Sequence, residues 1–278
     1  MSVAAVKPRQ VHPPRLDASG IIARIGPGTI GLLAGAILWE LIGRIAGLSF
    51  FPPLSGVLER LAELTAEGKI IGNLLNSLTN LVIGFGLSAA IGIGLGMAMG
   101  AYRKAEMALD FYVYALLTAP TLVFAPLFFS IFGPANSRFS ILGVIIMYTV
   151  FIIIVNTTSA IRNVPAPLVE MGRSYCASER QLFLKVILPA ATPLIMAGLR
   201  LGMGRAVKGM INGEMFIAIV GLGQVVTDAG GRFDAEGVLA VLIVIITVAM
   251  VAVKVVQLVD QRLTGWLPSN ARQRRRNA

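Results

Sequence analysis

Two cations and an amide recur at helical spacing inside an otherwise apolar stretch: Arg205, Lys208 and Asn212. At about 100° per residue they share one face of a helix. A guanidinium, an ammonium and a carboxamide converging there could hold an anion. Arg200 and Glu214 fall on roughly the opposite side. Charges inside a membrane span cost a few kcal/mol each, so they face a cavity or a partner. The other chemistry-bearing residues argue against catalysis. His12 and Cys176 are single copies, which excludes an intramolecular disulfide and Cys/His zinc spacing. His12 sits in a Pro-rich polar stretch, which leaves no base for a Ser-His-Asp site. No catalytic residue and no metal ligand is expected. A P-loop pattern is missing too, so any ATP would be hydrolysed by another chain.

The elements that must position these residues follow from composition. Of the 278 residues 56% are hydrophobic and 14% charged, where a soluble domain carries about 25% charge. The mean hydropathy is +0.79. A chain this apolar spends its surface on lipid, and a spanning segment must satisfy its own backbone hydrogen bonds, which selects helices. The fold class expected is therefore an all-α membrane protein with six spans, at about 27–43, 74–101, 108–133, 139–160, 188–220 and 238–259. Residues 1–26 read as a basic tail and not a cleaved leader. Residues 27–260 form the membrane domain, and 261–278 a second basic tail, in which solvation near anionic headgroups explains the arginines better than nucleic acid does. Pro52 to Ser55 caps a short surface helix whose apolar face includes Val57, Leu58, Leu61 and Leu64. The stretch 162–185 is polar and helical in pattern.

Three further patterns sit inside the spans. Gly92, Gly96 and Gly100, with Gly84, Gly86 and Gly94 nearby, read as a helix-packing surface and not a dinucleotide fingerprint. Gly198, Gly202, Gly209 and Gly213 make a similar surface beside Arg205 and Lys208. Pro120 and Pro126 each remove a backbone donor from the third span, which bends or breaks it, in the second case beside a gate.

Charge sets the orientation. With the N-terminus in the cytoplasm, the cytoplasmic parts hold fifteen Lys and Arg residues, among them Arg103, Lys104, Arg162, Arg173, Arg180 and Lys185. The outer parts hold five: Arg44, Arg60, Lys69, Arg138 and Arg232. That asymmetry places both termini inside.

Residues 170–189 read Glu170-Met171-Gly172-Arg173-Ser174-Tyr175-Cys176, nine residues, then Val186-Ile187-Leu188-Pro189. This resembles the cytoplasmic loop of ABC importer permeases, E-A-A-x3-G-x9-I-x-L-P, over its whole length. Met171 departs from the small residue of the pattern. Cys176 replaces the glycine of the turn and resists positive φ, so a different turn geometry is expected there. With Gly198-Leu199-Arg200, Glu214-Met215-Phe216, Gly221-Leu222-Gly223, Pro52-Pro53 and the six-span layout, the chain looks like the permeases of the nitrate/sulfonate/taurine importer family over residues 30–265.

The resemblance implies a type I importer permease, not itself an enzyme, in the bacterial inner membrane. It implies coupling helices within about 162–189, where Glu170 to Ala177, Leu188 and Pro189 engage an ATPase. The partners implied are two ATPase subunits, a second permease copy in a homodimer, a periplasmic or extracellular binding protein and membrane lipid, with no nucleic acid. ATP and Mg would belong to the ATPase, leaving no cofactor here. Arg205, Lys208, Asn212, Glu214, Pro120 and Pro126 are the candidates for the translocation path, which would favour an anion such as a sulfonate, nitrate, bicarbonate or an organic acid. Glu59, Glu63, Glu67, Asp228, Asp234 and Glu236 could dock the binding protein, although a solvated face explains them as well. A secondary transporter would need acidic relay residues in the spans, and Glu40 and Glu214 are the only obvious ones.

Overall fold

A computed structural model of the chain describes residues 27–47, 50–217 and 219–265. The expected N-terminal tail 1–26, with His12, and all but the start of the basic C-terminal tail lie outside them. The chain divides at Gly56 into two units.

In the first unit, helix α1 (Pro27–Ala46) is long and apolar enough to cross a membrane. Its apolar side chains stay open, Leu32 and Ile45 being 76% and 82% exposed. Such a surface suits lipid or another protein chain. At its far end Trp39 donates to Pro52 O at 3.1 Å. Glu40 accepts from the Ser55 N–H at 2.9 Å and pairs with Arg44 at 2.5 Å. Gly43 lies against the Pro53 backbone, where a Cβ would come within 2.6 Å.

Helix α2 (Leu54–Ala66) follows the two prolines. Val57 and Leu64 are buried and Leu58 points outward, half exposed, so the expected apolar face is narrower than its sequence. The second unit then contains α3 (Lys69–Ala101), α4 (Arg103–Thr118), α5 (Phe124–Phe132), α6 (Ser137–Arg162), α7 (Ala166–Ser174), α8 (Glu179–Leu182), α9 (Leu188–Ile217), α10 (Leu222–Gly231) and α11 (Ala235–Leu263). α3, α6, α9 and α11 are each long and apolar enough to span a membrane, and α4 with α5 passes the same test only as a bent pair, a broken span or a re-entrant loop. The last helix runs on to Leu263, past the expected domain end at 260.

The third apolar stretch is broken, not merely curved: α4 and α5 meet at 89°. Pro120 is the cause. It disfavours the α conformation in the residue before it, and Ala119 is accordingly extended, ending α4 at Thr118. A 3-10 turn, Thr121–Val123, leads into α5. Pro126 falls in the first turn of α5, where the missing N–H would have no intrahelical partner in any case. Pro120 therefore makes the break, and Pro126 is accommodated by it.

Glycines set the helix spacing. In α3, Gly84, Gly92, Gly96 and Gly100 sit directly against Ile145, Ile153, Thr157 and Ile161 of α6, while Gly86 and Gly94 face open space. In α9, Gly198, Gly202 and Gly209 meet Asn156, Ile153 and Tyr148 on another side of α6. Ile153 is fully buried between Gly92 and Gly202. The close approach replaces the hydrophobic drive that lipid cannot supply between helices. A Cβ on Gly96 would lie 2.8 Å from the Ile154 carbonyl oxygen, which cannot swing aside as a side-chain tip can. Gly96→Ala is expected to cost about 1–3 kcal/mol through overpacking. Gly94→Ala, facing open space, serves as the neutral control. Thermal unfolding in detergent checks the pair, and equal melting temperatures would refute the seam.

Candidate functional site

The loop between α6 and α9 is two short helices joined by a tight turn. Pro165 caps α7, and Gly172 lies beneath it, a Cβ there meeting Leu182 Cδ1 at 2.6 Å and Val186 Cγ2 at 3.4 Å. The loop thus folds onto its own second half. Cys176 takes φ +54°. Its N–H donates to Arg173 O at 2.8 Å, and the Ala177 N–H donates to Gly172 O at 3.2 Å. This is the helix C-cap that glycine ordinarily closes in the left-handed region. The expectation of a different turn geometry at Cys176 is corrected: the backbone keeps the glycine geometry, and cysteine carries its strain, about 1 kcal/mol. Ser178 and Gln181 then form a reciprocal cap on α8. A π turn, Phe183–Ile187, links it to α9, with the Leu188 N–H reaching Phe183 O. Pro189 has no N–H to continue an α ladder, and the wider turn precedes it.

The loop's outward face is apolar. Leu168, Met171 and Tyr175 lie one turn apart on α7 and are 38%, 52% and 82% exposed. Glu170, Arg173 and Ser174 are exposed beside them, and Ser174 Oγ donates back to Glu170 O. Glu170 has no ion-pair partner among the described residues. Arg173 approaches Glu179 at 3.8 Å across the turn.

At the same end of the bundle, charges are paired. Arg162 bonds Glu106 and Arg200 bonds Asp260, joining α6 to α4 and α9 to α11. Arg200 is therefore paired with Asp260.

Further along α9 the pairing stops. Leu201, Arg205, Lys208 and Met215 are exposed in one stripe with the half-buried Asn212. Neither Arg205 nor Lys208 has a partner among the described residues. Asn212 donates to Tyr148 Oη at 2.7 Å, which fixes its amide on α6. The stripe is the single-face arrangement read from spacing.

Glu214 behaves differently. It is fully buried and lies apart from the open stripe, held by donors from other helices. Ser77 Oγ donates to Glu214 Oε2 at 2.7 Å, Gly223 N–H at 3.2 Å, and Asn80 Nδ2 to Oε1 at 3.3 Å. Ser77 Oγ in turn accepts the Leu222 N–H at 2.8 Å, Asn73 Oδ1 accepts the Gly221 N–H at 3.0 Å, and Arg138 Nε donates to Asn80 Oδ1. A buried carboxylate with several donors is tolerable where a bare one is not. The cage ties α3, α6 and α9 to the turn entering α10. Asn73, Ser77 and Asn80, at helical spacing on α3, escaped the sequence reading. A polar stripe in an apolar helix was the available signal. Asp110, part-way along α4, was missed as an acidic residue of the third expected span.

Beyond α10, Asp234 caps α11 through the Gly237 N–H at 2.7 Å and pairs with Arg60 of α2 at 2.8 Å. Glu63 pairs with Arg60 and Glu67 with Lys69. The Arg60 guanidinium, held by two carboxylates, is pushed above its ordinary range, and Lys69 lowers Glu67 below its own. Half of the expected acidic face is thus balanced internally, while Glu59, Asp228 and Glu236 have no ion pair among the described residues.

Comparison with known proteins matches this arrangement to transporters. The chain is 29% identical to the aliphatic sulfonates transport permease SsuC of Bacillus subtilis, over 91% of this chain and 94% of that protein. It is 32% identical to SsuC of Escherichia coli, over 86% and 90%. The fold matches a chain of the MetNI methionine ABC transporter in an inward-facing conformation, with a TM-score of 0.60 at 18% identity, covering 68% of this chain and 93% of that one. Residues 90–265, from within α3 through the loop, the open stripe and Glu214 to the end of α11, match the binding-protein-dependent transport system inner membrane component family, and the chain belongs to that family.

Proposed function

We propose that the chain is the membrane half of an ATP-driven importer for a small anionic solute, working as a homodimer with both termini in the cytoplasm. The open stripe on α9 carries this reading. Two unpaired cations within a span are costly against lipid, and a water-filled path along the contact between two copies removes that cost while selecting anions. The apolar face of α7 suits a groove on an ATPase subunit, where a helix transmits a rigid push that a slack loop cannot. ATP and Mg reside in that partner, and a soluble binding protein delivers the solute from outside. A secondary transporter has less support: Glu214 is a structural carboxylate, and the loop's apolar face would have no purpose.

The chain purified from its native host in mild detergent is expected to bring a P-loop ATPase with it. Absence of any ATPase, under conditions that preserve known importers, would reopen the secondary-transporter reading. On the solute side, Lys208→Met is expected to lower uptake of an organosulfonate about tenfold, the size of one lost charge-assisted contact. Unchanged uptake would remove Lys208 from the path.

A further inference from the structure

Asp110 lies within α4, flanked by the exposed side chains of Met107, Phe111 and Tyr114. That face borders an open hollow of about 650 Å³. Glu106, one turn away, is taken by Arg162. Asp110 has no hydrogen bond or ion pair among the described residues. An uncompensated carboxylate on an apolar surface within a span is as costly as an uncompensated cation, so α4 and α9 carry opposite charges unanswered among the described residues.

Their depths decide which charges can meet. Val113 packs with Val150 and Ile154 of α6, and Gly202 packs on Ile153 and Thr149, so Val113 and Gly202 share one level. α4 leaves the loop end at Arg103 and α9 leaves it at Leu188. Asp110 therefore lies three residues nearer that end than Val113, and Arg205 three residues farther than Gly202. At 1.5 Å per residue the two are about 9 Å apart in depth, whereas Lys208 is about 13 Å away. An outstretched arginine and a carboxylate on neighbouring helices can close the first gap, not the second. No ion pair joins Asp110 to Arg205 within the chain.

We propose that Asp110 of one copy pairs with Arg205 of the second, twice around the two-fold axis, in the unloaded transporter. The carboxylate occupies the guanidinium until an anionic solute displaces it, so Asp110 sets what the path accepts: an anion able to compete with a tethered carboxylate. Lys208 stays free to meet the solute first. This rests on the homodimer reading above.

The test uses the full chain in native membranes, with Cys176→Ser removing its single thiol. Asp110→Cys with Arg205→Cys is expected to give a cross-linked dimer with a short bismaleimide, and an added organosulfonate should reduce it. Asp110→Cys with Lys254→Cys, an exposed position on α11, should give none. In uptake assays Asp110→Arg and Arg205→Asp are each expected to lose activity tenfold or more, as misplaced like charges do; each should also lower the melting temperature of the resting dimer, and the double exchange should recover that temperature. No cross-link and no recovery, in complexes that native mass spectrometry shows to hold two copies, overturns the pair and leaves the dimer standing. Complexes with one copy overturn both.

Discussion

Replacing Gly221 by alanine is expected to abolish accumulation of the folded protein in the membrane. Gly221 has φ +90°, outside the range an L-residue adopts readily. Its new Cβ would lie 2.2 Å from the Glu214 carboxyl carbon and 2.3 and 2.5 Å from the two oxygens. That carboxylate cannot retreat, because Ser77, Asn80 and Gly223 hold it. The turn would have to open, freeing the Gly221 and Leu222 N–H groups from Asn73 and Ser77. Each buried donor left unpaired costs about 1–3 kcal/mol, so two of them with the backbone strain consume much of a typical stability of 5–15 kcal/mol. Glu214→Leu should act as severely by orphaning the same donors. Glu214→Gln keeps the shape but turns one acceptor into a donor, and should give a folded protein that melts earlier. Fluorescence-detected size-exclusion of the three variants gives the readout. Normal yield for Gly221→Ala would mean the cage is looser than its distances.

The second large effect is expected at the loop, and it should leave the fold intact. Met171→Glu and Tyr175→Arg change side chains that are 52% and 82% exposed, so stability should move by less than about 0.5 kcal/mol. If the apolar face of α7 seats in an ATPase groove, a charge at its centre is desolvated without a partner and costs several kcal/mol of docking. Uptake should then fall at least a hundredfold, the co-purifying ATPase should be lost, and the melting temperature should stay where it was. Glu170→Arg should behave alike. Cys176→Gly is the informative opposite, since it removes strain at φ +54° and should raise stability slightly with uptake retained. Full uptake with Met171→Glu would show that the ATPase grips another surface.

The bundle was legible because lipid leaves few choices. An apolar stretch long enough to span must be a helix, and the glycines at every fourth position in α3 mark where another helix approaches. The open stripe was legible because Arg205, Lys208 and Asn212 obey the 3.6-residue period. The loop was legible from the spacing of Glu170, Gly172, Leu188 and Pro189. The helical signals are local and need only the geometry of one helix, whereas the loop was read from its resemblance to a known pattern.

What the sequence determined alone is therefore the all-helical membrane character, the apolar stretches able to span, and the face of α9 on which Arg205 and Lys208 lie. The tertiary structure decided the rest. It separated Pro120, which ends α4 ahead of an 89° bend, from Pro126, which falls in the first turn of the next helix. It also gave the charges their fates, pairing Arg200 with Asp260, burying Glu214 under Ser77 and Asn80, and leaving Arg205 and Asp110 unpaired among the described residues. Helical period tells which way a side chain points, but a charge is stabilised by what stands opposite it. For Glu214 that is a serine 137 positions away in the chain, a pairing set by the packing of α3, α6 and α9 and by no local pattern.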